Sequence, residues 1–201
     1  MARTIEFFHG IGSRYSYLAA SQMERLERDT GATVRWRPLY SGALMKRRGM
    51  DPFAGPPASG QYEPAYRTRD VTRWADYYGI PFHDPDWDAL DWQRLALAAV
   101  AADRLGGVVP FTKNLFDAIF GAGIAPKTAA DLTRIADGSR LDGQNFVRLI
   151  DDDETQRRHD QNIIDALAAG VFGVPSFAVD GELFWGNDRL VLLRHHLGAR
   201  A

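Results

Sequence analysis

The chain contains no cysteine in its 201 residues. That excludes a disulfide scaffold, thiol redox chemistry carried by the protein itself, and thiolate metal sites. Charge of one sign is also lacking: Lys plus Arg number 24 and Asp plus Glu 26, for a formal net charge of −2. No basic surface therefore argues for nucleic acid. Long apolar runs are absent. The longest strongly apolar stretch, Leu95 to Ala102, is far too short to span a bilayer. Met1-Ala2-Arg3-Thr4-Ile5-Glu6 has no signal-peptide apolar region. A soluble, cytoplasmic protein is expected, with neither a membrane nor a nucleic acid as partner. His195 and His196 form no metal-ligand set with anything nearby, so no metal is expected. Gly10-Ile11-Gly12 lacks the third glycine and the context of a dinucleotide site. There is no internal repeat and no low-complexity tract.

What is present is globular in composition, 45% hydrophobic and 25% charged. The length suits one substantial core, or one domain carrying a large insert. Thr4 to His9 is β-rich and runs into a glycine turn. Ser13 sits where a helix N-cap belongs, and a helix from Tyr15 to about Asp29 is expected, with Tyr17, Leu18, Met23 and Leu26 inward. Gly31 ends it. Thr33 to Pro38 alternates and reads as a second strand, completing a right-handed β-α-β unit.

From Ser41 the character changes. A short helix and a Pro/Gly-rich loop over residues 49–64 lead into helices over Tyr66–Tyr78, Asp91–Leu105 and Pro110–Phe120. Thr128-Ala129-Ala130-Asp131 has the form of a capping box. Phe146 to Ala169 reads as two helices separated by the acidic cap Asp151-Asp152-Asp153. No convincing strand lies between about 42 and 170. Most aromatic residues here (Trp74, Tyr77, Tyr78, Trp87, Trp92) read as core, though some could wall an aromatic-substrate cleft.

After Gly170 the pattern changes again. Val174-Pro175 opens a short apolar strand, Asp180-Gly181 makes a tight turn, a second strand follows, and Asn187-Asp188 starts a last helix. This order resembles the second half of a thioredoxin-like fold, where the X-Pro bond is cis and faces the active site. The expected fold class is α/β, a thioredoxin-like domain interrupted by a large all-helical insert. Residues 1–40 and 160–201 would form the thioredoxin-like domain and 41–159 the insert.

Phe7-Phe8-His9-Gly10-Ile11-Gly12-Ser13-Arg14-Tyr15-Ser16-Tyr17-Leu18-Ala19 resembles the N-terminal site of 2-hydroxychromene-2-carboxylate isomerases. These are glutathione-dependent relatives of kappa-class glutathione transferases, on the fold of the periplasmic disulfide oxidase A. Trp185-Gly186-Asn187-Asp188-Arg189-Leu190 is similar to the family's C-terminal segment, and Arg69 to Ala75 with Gly79 to Phe82 resemble its insert. Three positions depart from the pattern. Arg14 stands where the family usually has Pro, Gly10 where it often has Asp or Asn, and Gly49-Met50-Asp51 where its insert offers an Asn.

The resemblance implies a glutathione cofactor and a small aromatic acid as substrate. It implies that Ser13 donates a hydrogen bond to the bound thiolate, a more economical role than nucleophile, because no base is evident beside it. A thiol with a pKa of about 8.5 needs roughly 2.7 kcal/mol of preference for the thiolate to fall by two units. A charged hydrogen bond contributes about 1.5–3 kcal/mol and a helix N-terminus about 0.3–1. Val174, before Pro175, would hold the cysteinyl part of glutathione through its backbone. Asn187 and Asp188 would meet the γ-glutamyl end, with Arg189 behind them. The thiolate would add reversibly to a conjugated ring-opened substrate and leave after bond rotation. A homodimer is implied by analogy.

Other readings stay open. Arg14 could bind a substrate carboxylate or be a solvated first-turn residue. Lys46, Arg47 and Arg48 could attract an anion or form a solvated face. His9 could titrate near the site or be structural. The same site could serve a transferase or peroxidase that consumes glutathione, and a binding module without chemistry would keep only the fold.

Overall fold

The structure, a computed structural model, describes residues 3–49 and 63–198. Its sheet has four strands in the order β2-β1-β3-β4, comprising β1 (Thr4–His9), β2 (Thr33–Pro38), β3 (Ser176–Val179) and β4 (Glu182–Trp185). β1 and β2 are parallel, joined by α1 (Arg14–Ala20) and α2 (Met23–Thr30). β3 runs antiparallel to both β1 and β4. The β3–β4 turn is Asp180-Gly181, both with positive φ (54° and 81°), as a tight hairpin of two residues requires.

The alternation of β1 assigns its faces. Ile5 and Phe7 join the larger core, built with α1, α2, α5 (Trp92–Arg104) and α6 (Val108–Phe116). Phe8 joins a second core on the opposite face with Leu39, Leu44 and Ile163. Each fully buried Phe or Leu there contributes about 1.5–3 kcal/mol. The second face is covered by α3 (Ser41–Arg47) and α9 (Asp153–Ala168). α9 is fastened to β2 by polar contacts. Arg37 reaches Glu6, Asn162 and Asp165 at 2.6, 3.1 and 3.1 Å, and His159 Nε2 accepts the Tyr40 amide proton at 3.0 Å.

Between the two pairs of strands, the regular structure of the described residues is all helical. α4 (Pro64–Tyr78) starts on Pro64 with the Glu63 side chain capping the Tyr66 amide. α5 is capped by Asp91, and α6 continues through a π turn at Asp117–Gly121. The Thr128 box is formed in full at the start of α7 (Ala129–Gly138). Asp142 caps α8 (Gly143–Ile150) and Asp152 caps α9. No described residue between 42 and 170 is in a strand. The Pro/Gly-rich stretch over 50–62 lies outside the described residues.

Two expectations need correction. The single helix expected from Tyr15 to Asp29 is two helices, broken at Ser21-Gln22. There the Ser21 hydroxyl donates back to the Leu18 carbonyl at 2.7 Å, a local bond that competes with continuation of the helix. Asn187 and Asp188 do not start the last helix directly. They form a 3-10 turn, Asn187–Arg189, which leads into α10 (Leu190–His196). No helix among the described residues is long and apolar enough to cross a membrane.

Candidate active site

β1 ends at His9, and the chain turns through Gly10-Ile11-Gly12 before α1 begins. Ser13 holds this corner. Its φ and ψ (−119° and 112°) are those of an N-cap, its amide donates to the Gly10 carbonyl at 3.1 Å, and its Oγ accepts the Ser16 amide at 3.1 Å. A hydroxyl is one donor and two acceptors. Capping uses an acceptor, and among the described residues nothing receives the Ser13 hydroxyl proton. α1 spans only seven residues, so its dipole is weak and the hydroxyl carries most of any stabilisation of a nearby anion.

Gly10 joins this corner to the segment before β3. A Cβ built on Gly10 would stand 3.2 Å from Val174 Cγ2 and 3.5 Å from the Leu39 carbonyl oxygen. The Val174-Pro175 bond is cis. Among the described residues, no hydrogen bond engages the Val174 amide or carbonyl, while the Pro175 carbonyl accepts the Gly186 amide at 2.9 Å. That bond ties the Val174-Pro175 segment to the end of β4 and to the turn that carries Asn187 and Asp188. The turn in turn packs against α1. Ser13, Val174, Pro175 and the Asn187–Asp188 turn thus belong to three segments that meet around the β1–α1 corner.

Asn187 is 3% exposed, and its side-chain nitrogen has no partner among the described residues. A buried amide donor left unpaired costs about 1–3 kcal/mol unless something accepts from it. Asp188 is half-buried and pairs with Arg189 at 3.1 Å. The Tyr78 phenol stands beside the Asn187 amide, too poorly placed for a full hydrogen bond; burial raises its pKa, and the Asn187 amide offsets part of that rise. Tyr78 was expected on the inner face of its helix, but nothing in its spacing pointed to this neighbour.

α4 and the irregular segment that follows it close over the same corner. Tyr15 donates to Asp70 Oδ2 at 2.8 Å and Tyr17 to the Pro81 carbonyl at 2.6 Å. Burial, then the Asp70 carboxylate, push the Tyr15 phenol above its usual range. Arg14 forms a fork on Asp84, with Nε to Oδ1 at 2.7 Å and Nη2 to Oδ2 at 2.9 Å, and stacks on the Trp87 ring at 4.5 Å. Its side chain is only 12% exposed. Arg14 is therefore neither a solvated first-turn residue nor an unpaired carboxylate receptor, because Asp84, 70 residues away, already occupies its fork.

The remaining candidates lie apart. His9 is fully buried among Phe7, Trp36 and Phe116, with both ring nitrogens unpartnered among the described residues. It is structural and does not reach the site. Arg47 pairs with Asp160 on α9, and Arg48 lies over Phe172 and donates to the Val171 carbonyl. Gly49 ends the described segment, and Met50 and Asp51, where the insert Asn was sought, lie outside the described residues. Tyr77, expected in the core, is 78% exposed at the solvent end of α4.

The whole chain has informative relatives. The "DSBA-like thioredoxin domain" family matches residues 4–198. The "2-hydroxychromene-2-carboxylate isomerase" of Sphingobium xenophagum is 30% identical over 98% of this chain and 99% of its own. A solved structure of a 2-hydroxychromene-2-carboxylate isomerase superposes with a TM-score of 0.84 at 26% identity, covering 97% of this chain and 94% of that one. "Glutathione S-transferase kappa 1" of Homo sapiens is 23% identical over 100% of this chain and 93% of its own.

Proposed function

Since the chain belongs to the DSBA-like thioredoxin domain family, and within it to the 2-hydroxychromene-2-carboxylate isomerase family, we propose that it is a glutathione-dependent isomerase of an aromatic hydroxychromene carboxylate-type substrate. The observation that carries the reading is Ser13. It occupies the head of α1 in a chain without cysteine, with its capping bond made and its proton unspent.

The residues around the corner fit glutathione. The Val174 amide and carbonyl can pair with an extended peptide as a strand edge does. The unpaired Asn187 amide can donate to the γ-glutamyl carboxylate, and the Asp188 carboxylate can accept from its ammonium. When bound, glutathione supplies a thiolate that adds reversibly to the conjugated, ring-opened substrate and is returned unconsumed. Ser13 donates its hydroxyl proton to that sulfur as a hydrogen bond and so favours the charged form. The aromatic acid lies where a thioredoxin-like part, assigned to residues 1–40 and 160–201, meets a helical insert assigned to 41–159. Clefts between such parts are favoured ligand sites. The protein acts in the cytoplasm, as a homodimer.

Product analysis tests the reading. Turnover of 2-hydroxychromene-2-carboxylate should require glutathione, and total free thiol should be the same after many turnovers as before. Stoichiometric loss of thiol would instead favour a transferase or peroxidase, the reading that the likeness to the human kappa transferase supports. Absence of both turnover and glutathione binding would contradict the proposal.

A further inference from the structure

Both chain neighbours of Ser13 rest on the same pair of indoles. A Cβ on Gly12 would stand 3.1 Å from the Trp92 ring, so Trp92 lies flat against the Gly12 backbone. On the other side of Ser13, the Arg14 guanidinium covers Trp87 at 4.5 Å. Trp87 and Trp92 touch each other, with centroids 5.1 Å apart, and the Trp92 indole N–H donates to the Trp87 carbonyl at 2.9 Å. The indole pair is therefore a wall of the Ser13 corner: Trp92 opens α5, and Trp87 is brought there by the segment between α4 and α5. That segment has little regular structure of its own beyond a 3-10 turn at Trp87–Ala89. Its start is held from outside, by Tyr17 on the Pro81 carbonyl and by the His83 amide on the Phe120 carbonyl at 2.6 Å each.

Arg14 supplies the tether next to Trp87. Its fork on Asp84 fixes the segment three residues before Trp87, and Thr68 of α4 donates to the same carboxylate at 3.2 Å. A bidentate guanidinium–carboxylate pair fixes orientation as well as distance. We propose that Arg14 is a positioning residue for the second substrate. Through Asp84 and Trp87 it holds the Trp87–Trp92 wall at the place where an aromatic acid stacks beside Ser13, without itself binding the acid's carboxylate. The assignment of an aromatic acid rests on the isomerase reading above.

The test measures binding by calorimetry, with trans-2-hydroxycinnamate and glutathione as separate probes, on the full chain and on Arg14→Ala, Arg14→Lys, Asp84→Asn and the Arg14→Ala/Asp84→Asn double variant. Arg14→Ala and Asp84→Asn should each weaken the aromatic acid about tenfold, as loss of a positioning contact does, and leave glutathione within about twofold. The double variant should be no weaker than either single one, because one tether is lost in all three. Arg14→Lys keeps the charge and stem but not the fork, and should fall between the wild-type chain and Arg14→Ala. Tighter acid binding by Asp84→Asn would overturn the proposal, since it would make Arg14 a direct carboxylate ligand released from its partner. Unchanged acid affinity in both single variants would also overturn it, as would a wild-type chain that does not bind the acid. If the chain binds the acid with this pattern but not glutathione, the glutathione reading fails while the role of Arg14 stands.

Discussion

Gly10 faces Val174 so closely that a methyl group on its Cα would stand 3.2 Å from Val174 Cγ2. The contact joins the corner that holds Ser13 to the backbone groups assigned to the cysteinyl part of glutathione. It also explains how this chain accommodates glycine where the family often carries Asp or Asn: the Val174 side chain occupies the space a larger residue would need. Gly10→Ala should displace Val174 by a few tenths of an ångström. Stability should fall by about 1–2 kcal/mol, as overpacking does, and the glutathione Kd should rise several-fold. Urea unfolding and calorimetry together check this; an unchanged Kd would detach Val174 from the ligand.

Arg37 carries the junction of β2 with α9. Its side chain is 17% exposed and reaches Glu6, Asn162 and Asp165. Arg37→Met keeps the aliphatic stem but leaves the partly buried Asp165 without a cation and Glu6 with only the exposed Arg35 at 3.6 Å. The expected cost is about 2–3 kcal/mol, below that of a fully buried pair and above that of a surface one. A denaturation midpoint equal to that of the wild-type chain would show that the clamp contributes nothing.

His9 should make the fold acid-sensitive. Its burial pushes the imidazole down to about 3 from an ordinary 6.5. The folded state therefore keeps His9 neutral while the unfolded chain takes up a proton below about pH 6.5. Stability from this group is whole above that value and is lost as pH falls toward 3. Between pH 7 and pH 5 the loss should be about 2 kcal/mol, from about 1.4 kcal/mol per unit below 6.5. His9→Phe lacks the titration, so unfolding at the two pH values should show the wild-type chain losing about 2 kcal/mol more than the variant. Parallel losses would contradict the neutral, buried assignment.

Much of the fold was legible because its signals are local. The β-rich run of β1, the alternation of β2, Gly31 with its φ of 67°, the Asp180-Gly181 hairpin and the Thr128 box each depend on residues within a few positions. The break at Ser21-Gln22 was not legible, since a serine that bonds back to its own helix looks in sequence like any exposed serine. The head of α1 was legible through Ser13, and the Val174-Pro175 step through its apolar strand and turn. The partner of Arg14 was not: Asp84 is brought to it only when the irregular segment after α4 folds back over the corner. Asn187 reads in sequence as a cap, and only burial shows that its amide is left without a partner.

The most direct measurement is ultraviolet difference absorbance of glutathione thiolate on the protein near pH 6.5, about two units below the ordinary thiol pKa. The wild-type chain and Ser13→Thr, which keeps a hydroxyl, should both show the thiolate. Ser13→Ala should lose most of the signal while still binding glutathione, and should unfold with about 1 kcal/mol less stability because its helix cap is gone. An equal thiolate signal in Ser13→Ala would remove Ser13 from the chemistry, and no signal from the intact chain would contradict an activating glutathione site altogether.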